Sequence, residues 1–369
     1  MSRCIKRVAF FIAVILICSI LPFMFTNKTD KGFSVSVSDS IVNGSFENGK
    51  AQSKYGINYF IFDGWNVSNT MSANANTSIK HDENQSLTVS GITDFKLETA
   101  NGVAVKGDSY YEFSFMAYSP QAQGASFDFK VDCYNNLDKI TDTFSISAVE
   151  ISDGEVWQKI SVQGGTNTFA EYVKIYITIN CANNSPCYID NVKIIEKNFI
   201  NIKEGASVRI SEETPGIRFC GTIDKIEYEN IKNRYKNVGV GIVIIPKSSY
   251  DSISEFTFYG IEQGEIQFLS IEAVIWNNSN TVEEDGFYGF NCAMVNIKKE
   301  NIVREFCARA YLKYTDNGVE KFLYSDFNVL LNCRSVQNVA LSVLEKESDA
   351  LTDFDLAILQ YYASGGQIS

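Results

Sequence analysis

From about Ser40 to Lys197 the chain alternates apolar and polar positions in short runs. Tyr111, Phe113, Phe115 and Ala117 alternate with Glu112, Ser114 and Met116, and Phe127, Phe129, Val131 and Cys133 with Asp128, Lys130 and Asp132. Val173, Ile175, Ile177 and Ile179 alternate in the same way with Tyr172, Lys174, Tyr176 and Thr178. A period of two with one polar face is the pattern of half-buried antiparallel strands. About ten such runs, punctuated by Gly, Asn and Asp and free of helical spacing, predict a β-sandwich.

After Lys197 the pattern changes. Phe199 to Glu204 reads as a connector. Strands are expected at Ala206–Ile210, Gly216–Ile223, Val238–Ile245, Gln267–Trp276, Tyr288–Ile297, Arg304–Tyr314 and Lys321–Tyr324, and a helix at Lys225–Tyr235. Val336, Val339, Ala340, Val343 and Leu344 recur at helical spacing, as nearly do Phe354, Leu356, Ile358, Leu359 and Tyr362, with Asp353 as the cap of the last helix and Gly365 past its end. The chain is therefore expected to be mostly β: a leader at 1–38, a β-sandwich at 39–197, a connector at 198–204 and an α+β domain with C-terminal helices at 205–369.

The leader carries Arg3, Lys6 and Arg7 ahead of an uncharged run from Val8 to Phe25, broken only by Pro22. An export signal has an apolar core of ~7–15 residues and a membrane span has ~20, so this run fits a signal peptide or an uncleaved anchor. Either way the positive flank places the rest of the chain outside the cell, secreted or held at the surface. Small residues at Ser34, Ser36 and Ser38 offer cleavage sites. Cys18 is no lipid-attachment cysteine, because bulky Ile17 precedes it.

The net charge of −12 argues against nucleic-acid binding through a broad basic face. His81 is the only histidine, which excludes HExxH and two-histidine metal sites. Seven cysteines lie beyond the leader: Cys133, Cys181, Cys187, Cys220, Cys292, Cys307 and Cys333. They are scattered, odd in number and mostly within apolar runs, so most read as small core residues, with Cys181 and Cys187 the one local pair.

Five motifs follow one another in a fixed order. They are Asn43, Gly44, Ser45, Phe46, Glu47; then Gly64, Trp65; then Tyr110 to Phe115; then Trp157, Gln158, Lys159; then Tyr188 to Ile194. Together they resemble the jelly-roll carbohydrate-binding modules of families four, nine and twenty-two. The resemblance implies a jelly roll over about 40–197, a polysaccharide partner, and a structural calcium ion held by Glu47 and Asp190. Calcium takes six to eight hard oxygens, which two carboxylates and backbone carbonyls can contribute. The alternative is that both are ordinary turn and strand carboxylates.

Stacking on sugars needs aromatics on strand faces that should otherwise be polar. Tyr172 and Tyr176 meet that test beside Lys174, and Tyr118 and Tyr134 fall on polar faces of their own strands, so the four are expected to line one groove. The competing reading packs Tyr172 and Tyr176 under a loop or against the second domain. Trp65 and Trp157 are expected in the core, and His81, Asp82 and Glu83 in a solvated turn.

Gly205 to Arg209, Pro215 to Phe219, Cys307 to Tyr311 and Tyr324, Ser325 are similar to an accessory domain of large exported Firmicutes proteins, which implies architecture but no chemistry. Arg209, Arg218 and Arg309 lie in strand-like runs and are expected to need carboxylate partners, Glu272 among them, the alternative being an anion or uronate site. Glu272, sharing a strand face with Trp276, is the one strand-borne glutamate that suits a glycosidase, which needs two carboxylates across a cleft. Glu212, Glu213 and Glu283, Glu284 are neighbours that point apart. Three functions follow, in order: non-catalytic polysaccharide binding, a glycoside hydrolase using the C-terminal domain, and an adhesin or scaffold that binds protein.

Overall fold

The computed structural model describes residues 36–38, 41–54, 57–181, 185–211, 214–273, 286–347 and 351–367. Residues 1–35 of the expected leader, Glu212, Glu213, Trp276, Glu283 and Glu284 lie outside them, while residues 36–38 form a strand. Among the described residues no helix is long and apolar enough to cross a membrane.

The first fourteen strands are β1 (Ser36–Ser38), β2 (Gly49–Lys54), β3 (Ile57–Phe62), β4 (Trp65–Val67), β5 (Ala73–Asn76), β6 (Ser86–Val89), β7 (Phe95–Thr99), β8 (Val103–Ala104), β9 (Tyr110–Tyr118), β10 (Ala125–Tyr134), β11 (Ile140–Glu150), β12 (Gln158–Gly165), β13 (Tyr172–Cys181) and β14 (Cys187–Glu196). They form two antiparallel sheets. One runs β12-β9-β14-β6-β5 with β1 on β14, the other β11-β10-β13-β7-β4 with β8 on β13, and β2 and β3 make a separate hairpin. The expected alternation is realised residue by residue. Val173, Ile175, Ile177 and Ile179 are buried, while Tyr172, Lys174, Tyr176 and Thr178 are half-exposed on the outer face. Phe113, Phe115, Phe127 and Phe129 fill the space between the sheets, with Phe115 edge-on to Phe129 at 5.0 Å. Each such side chain contributes roughly 1.5–3 kcal/mol by leaving water.

The second half comprises β15 (Ile200–Ile202), β16 (Ser207–Arg209), β17 (Gly216–Asp224), α1 (Lys225–Arg234), β18 (Lys236–Pro246), α2 (Lys247–Tyr250), α3 (Phe258–Gln263), β19 (Leu269–Ala273), β20 (Phe287–Met294), β21 (Phe306–Asp316), β22 (Val319–Tyr324), α4 (Val329–Asn332), β23 (Cys333–Arg334), α5 (Val336–Glu347) and α6 (Asp353–Ala363). One sheet is β15-β17-β16 with β20 on β17, the other β19-β18-β21-β22 with β23 on β21. Within the expected connector, residues 200–202 pair with β17. Thr352 rather than Asp353 caps α6, through a capping box with Asp355, because the hydroxyl one residue earlier faces the free N–H groups. Cys307 and Cys333 are not lone core thiols: they face each other across β21 and β23 and form a disulfide.

Arg209 and Arg218 are exposed and need no buried carboxylate. Arg309 is satisfied without Glu272: it donates to the carbonyls of Ser325 and Phe256, both at 2.8 Å, and stacks over Tyr324. Glu272 instead pairs with Lys313 at 2.6 Å on the edge strand β19.

Lys321 of β22 joins the two halves. It is 8% exposed, and its ammonium donates to Asp142 of β11 at 2.7 Å and to the Gly165 carbonyl at 2.9 Å, with Asp316 at 3.4 Å. A side chain on Gly165 would strike the buried Tyr314 hydroxyl. Lys197 adds a second link, to Glu227 at 2.8 Å and Glu112 at 3.2 Å. Lys321→Ala would leave Asp142 buried without its cation and should cost about 3–5 kcal/mol, read as a lower urea midpoint; an unchanged midpoint would show that the ammonium is not the lock.

Burial raises the Asp108 carboxyl from 3.8 to about 6; the Thr168 hydroxyl opposes this, Glu255 adds to it and Arg309 opposes it. A raised carboxylate pKa means that the protonated form is favoured in the fold. Stability from this group is complete below about 3.8 and is lost as pH rises through about 6. Asp108→Asn keeps an oxygen for Thr168 and removes the charge. Compared with wild type in thermal melts, it should be more stable by on the order of 1–3 kcal/mol at pH 8, with the gain fading below pH 4.

Candidate functional site

The outer face of the β11-β10-β13-β7-β4 sheet is ordered by register. Ser145, Lys130, Tyr176 and Glu98 form one cross-strand row, Thr143, Asp132 and Lys174 the next, and Ile140, Tyr134, Tyr172 and Ala104 a third. Three of the four expected tyrosines meet here. Tyr134 and Tyr172 stack at 5.0 Å with planes 6° apart, and the Tyr134 and Tyr176 hydroxyls are 3.1 Å apart. Tyr172 donates to Asp138 at 2.5 Å. Asp138 is held in a tight turn in which Asn135 Oδ1 accepts the N–H groups of Leu137 and Lys139, both at 3.0 Å.

One ring face of Tyr172 lies on Tyr134, and a side chain on Gly102 would strike the Tyr172 ring. All three tyrosines are half-exposed. The bond to Asp138, then desolvation, raises the Tyr172 hydroxyl to about 12. Desolvation, then the Tyr134 hydroxyl, raises Tyr176. The Tyr172 and Tyr176 phenols are therefore neutral donors and acceptors at physiological pH.

The charges around them are internally matched. Lys130 pairs with Asp132 at 2.7 Å and lies 5.2 Å from the centre of the Tyr176 ring, and Lys174 lies 3.8 Å from Glu98. Asp132, 2% exposed, also accepts from the Thr143 hydroxyl at 2.7 Å. The face thus offers hydroxyls and rings beside two lysines that are each paired with a carboxylate.

Tyr118 does not belong to this face. It lies on β9 in the opposite sheet, 5.4 Å from Trp157 and 5.5 Å from Tyr188, because alternation assigns a side chain to a sheet's outer face but not to a particular sheet. Trp157 is half-buried there, with exposed His81 edge-on at 5.6 Å, and is not a core residue. Trp65 is in the core, stacked near Phe46 at 5.3 Å and donating to the Asn43 carbonyl at 3.0 Å.

Glu47 and Asp190 both hold the turn at 81–85. Asp190, fully buried, accepts the N–H groups of His81 at 2.9 Å, Asp82 at 3.0 Å and Asn191 at 2.7 Å. Burial raises its pKa, against the lowering by these three bonds. Glu47 accepts from the N–H groups of Asn84 and Gln85, both at 2.9 Å, and the Gln85 side-chain amide donates back to the carbonyls of Phe46 and Glu47 at 2.7 and 2.8 Å. These contacts do not fit the expected calcium ion. Glu47 Oε1 and both Asp190 oxygens are met by N–H donors, whose positive ends stand where a cation would, and the carbonyls of Phe46 and Glu47 accept from Gln85. Among the described residues no third Asp, Glu, His or Cys joins them. Gln85 was the signal missed in the sequence, since nothing in its spacing announces a side chain that closes a turn 38 residues away.

No protein-family description matches the chain, and no curated protein matches it. Among solved structures it is similar to a family 61 carbohydrate-binding module in complex with β-1,4-galactotriose, at 16% identity and a TM-score of 0.33, covering 43% of this chain and 98% of that one. A family 16 carbohydrate-binding module gives 18% identity, a TM-score of 0.32 and coverage of 42% and 99%. The family 22 module with its catalytic module from the Clostridium thermocellum xylanase Xyn10B, complexed with xylohexaose, gives 16%, 0.30, and 36% and 26%.

Thermal melts in calcium and in EDTA should agree within about 1 °C, because a ligand that binds only the folded state would raise the midpoint. Asp190→Ala should cost on the order of 1–3 kcal/mol by orphaning buried N–H groups. A calcium-dependent rise would restore the ion.

Proposed function

We propose that the protein binds a neutral polysaccharide outside the cell, without cleaving it, on the outer face of the β11-β10-β13-β7-β4 sheet. The observation that carries this reading is the joining of Tyr134 and Tyr176, with Tyr172 stacked on Tyr134, on a face whose lysines Lys130 and Lys174 are each paired with a carboxylate. A pyranose has an apolar C–H face and a rim of hydroxyls. Aromatic rings match the first; phenols and paired charges match the second. An anionic ligand would need unpaired cations, and Lys130 and Lys174 are paired. The ordered motifs from Asn43 to Ile194 and the basic-then-apolar leader support the same reading, the leader by delivering the chain to where polysaccharides lie.

Glu272 does not favour a hydrolase. It is an exposed carboxylate bound to Lys313, and Trp276, expected on its strand face, lies outside the described residues.

The test is affinity electrophoresis of the full chain through gels containing soluble glucans, xylans, mannans and galactans, with reducing-sugar release measured in parallel. At least one glycan should retard the protein without release of sugar. Tyr134→Ala and Tyr176→Ala should each weaken retardation roughly two- to tenfold, the worth of one ring contact at roughly 0.5–1.5 kcal/mol. Trp157→Ala, on the opposite sheet, should leave it unchanged. Retardation unaffected by either tyrosine variant, or none on any gel, would overturn the assignment.

A further inference from the structure

Cys181 closes β13 and Cys187 opens β14, so the two thiols belong to different sheets. Cys181 stands opposite Ala125 in one layer and Cys187 opposite Val89 in the other. Their sulfurs are nevertheless 2.8 Å apart, and the Cys181 sulfur also reaches the Val89 carbonyl at 3.6 Å. The pair therefore spans the core between the layers, where both side chains are buried. A covalent S–S bond is ~2.05 Å long, so less than an ångström of approach separates this contact from a bond.

The other free thiols have no such option. Cys133 is buried in the sandwich core. Cys220 faces Asn291 and Cys292 faces Phe219 across β17 and β20, which puts the two sulfurs on opposite sides of their sheet, and Cys292 donates to the Ile271 carbonyl at 3.1 Å. A metal is no alternative for the close pair, since no third ligand joins it among the described residues.

The geometry points to a second disulfide, Cys181–Cys187, that staples the two sheets of the sandwich when the chain meets a disulfide-form oxidant. One cysteine thiolate attacks the oxidant's S–S bond and forms a mixed disulfide, expelling one thiol. The second cysteine thiolate then displaces the other half. The two cysteines lose two protons and two electrons in total, and the oxidant gains both as two thiols. Cys181 is suited to attack first: the hydrogen bond between the two sulfurs lowers its pKa, while the deeper burial of Cys187 raises its own. Because both are covered in the finished sandwich, the bond closes as the end of the sandwich forms. The staple would tie the strand carrying Tyr172 and Tyr176 to the strand carrying Asp190. With Cys307–Cys333, each half of the chain would then hold one bond.

The full chain, refolded in a mixture of oxidised and reduced glutathione, is denatured in guanidinium with N-ethylmaleimide and digested without reduction. The peptide spanning 181–187 should carry no label and weigh less than its dithiol by two hydrogens. Labelling of both cysteines, or a link from either to any other cysteine, would overturn the inference. A second reading uses heat. Reductant should lower the unfolding midpoint of the wild type more than that of the Cys181→Ser, Cys187→Ser double variant, in which only Cys307–Cys333 remains to be reduced. Equal shifts would likewise overturn it.

Discussion

A buried ammonium sets the arrangement of this molecule. Lys321 leaves water at the junction of the sandwich and the second half of the chain, and a cation there is tolerated only where fixed oxygens replace its hydration shell. Asp142, Asp316 and the Gly165 carbonyl are those oxygens, drawn from both halves of the chain. The requirement is directional as well as electrostatic, because β22 must approach β11 and the end of β12 closely enough for one Nζ to reach all three. Gly165 permits that approach by leaving room for Tyr314. The interface thus works as a registry device more than as a source of net stability, since buried ion pairs return little beyond their own desolvation.

The same balance of sign and position governs the tyrosine face. Lys130 is answered by Asp132 on its own strand and Lys174 by Glu98 on a neighbouring one, so the aromatic rings and hydroxyls define what the face can recognise. The Asn135 turn contributes by fixing Asp138, whose carboxylate holds the Tyr172 hydroxyl.

The turn at 81–85 meets a similar need by another route. Two carboxylates, Glu47 and Asp190, accept consecutive backbone N–H groups, and the Gln85 amide returns hydrogen bonds to the first motif. Backbone amides arranged this way form a concave, partly positive surface that a carboxylate fills well. The carboxylates of a motif that resembles a calcium-binding one are used here to tie the first motif and the last long strand of the sandwich to the loop between them.

Alternation alone determined the sandwich. In β13 the inner isoleucines and outer tyrosines follow from a period of two, because successive side chains on an extended strand must point to opposite faces. Helical spacing likewise located α1, α5 and α6, with the cap of α6 displaced by one residue because the choice between Thr352 and Asp353 depends on which side chain faces the free N–H groups. What periodicity does not encode is which strands become neighbours. Tyr118 and Tyr134 carry the same local signal, yet strand order places them on opposite sheets. The partners of Arg309, the pairing of Cys307 with Cys333 and the burial of Lys321 against Asp142 each join residues distant in sequence. Such pairings were decided only by tertiary structure, because the energy of a polar or ionic contact depends on distance, direction and exclusion of water, none of which is a property of one stretch of chain.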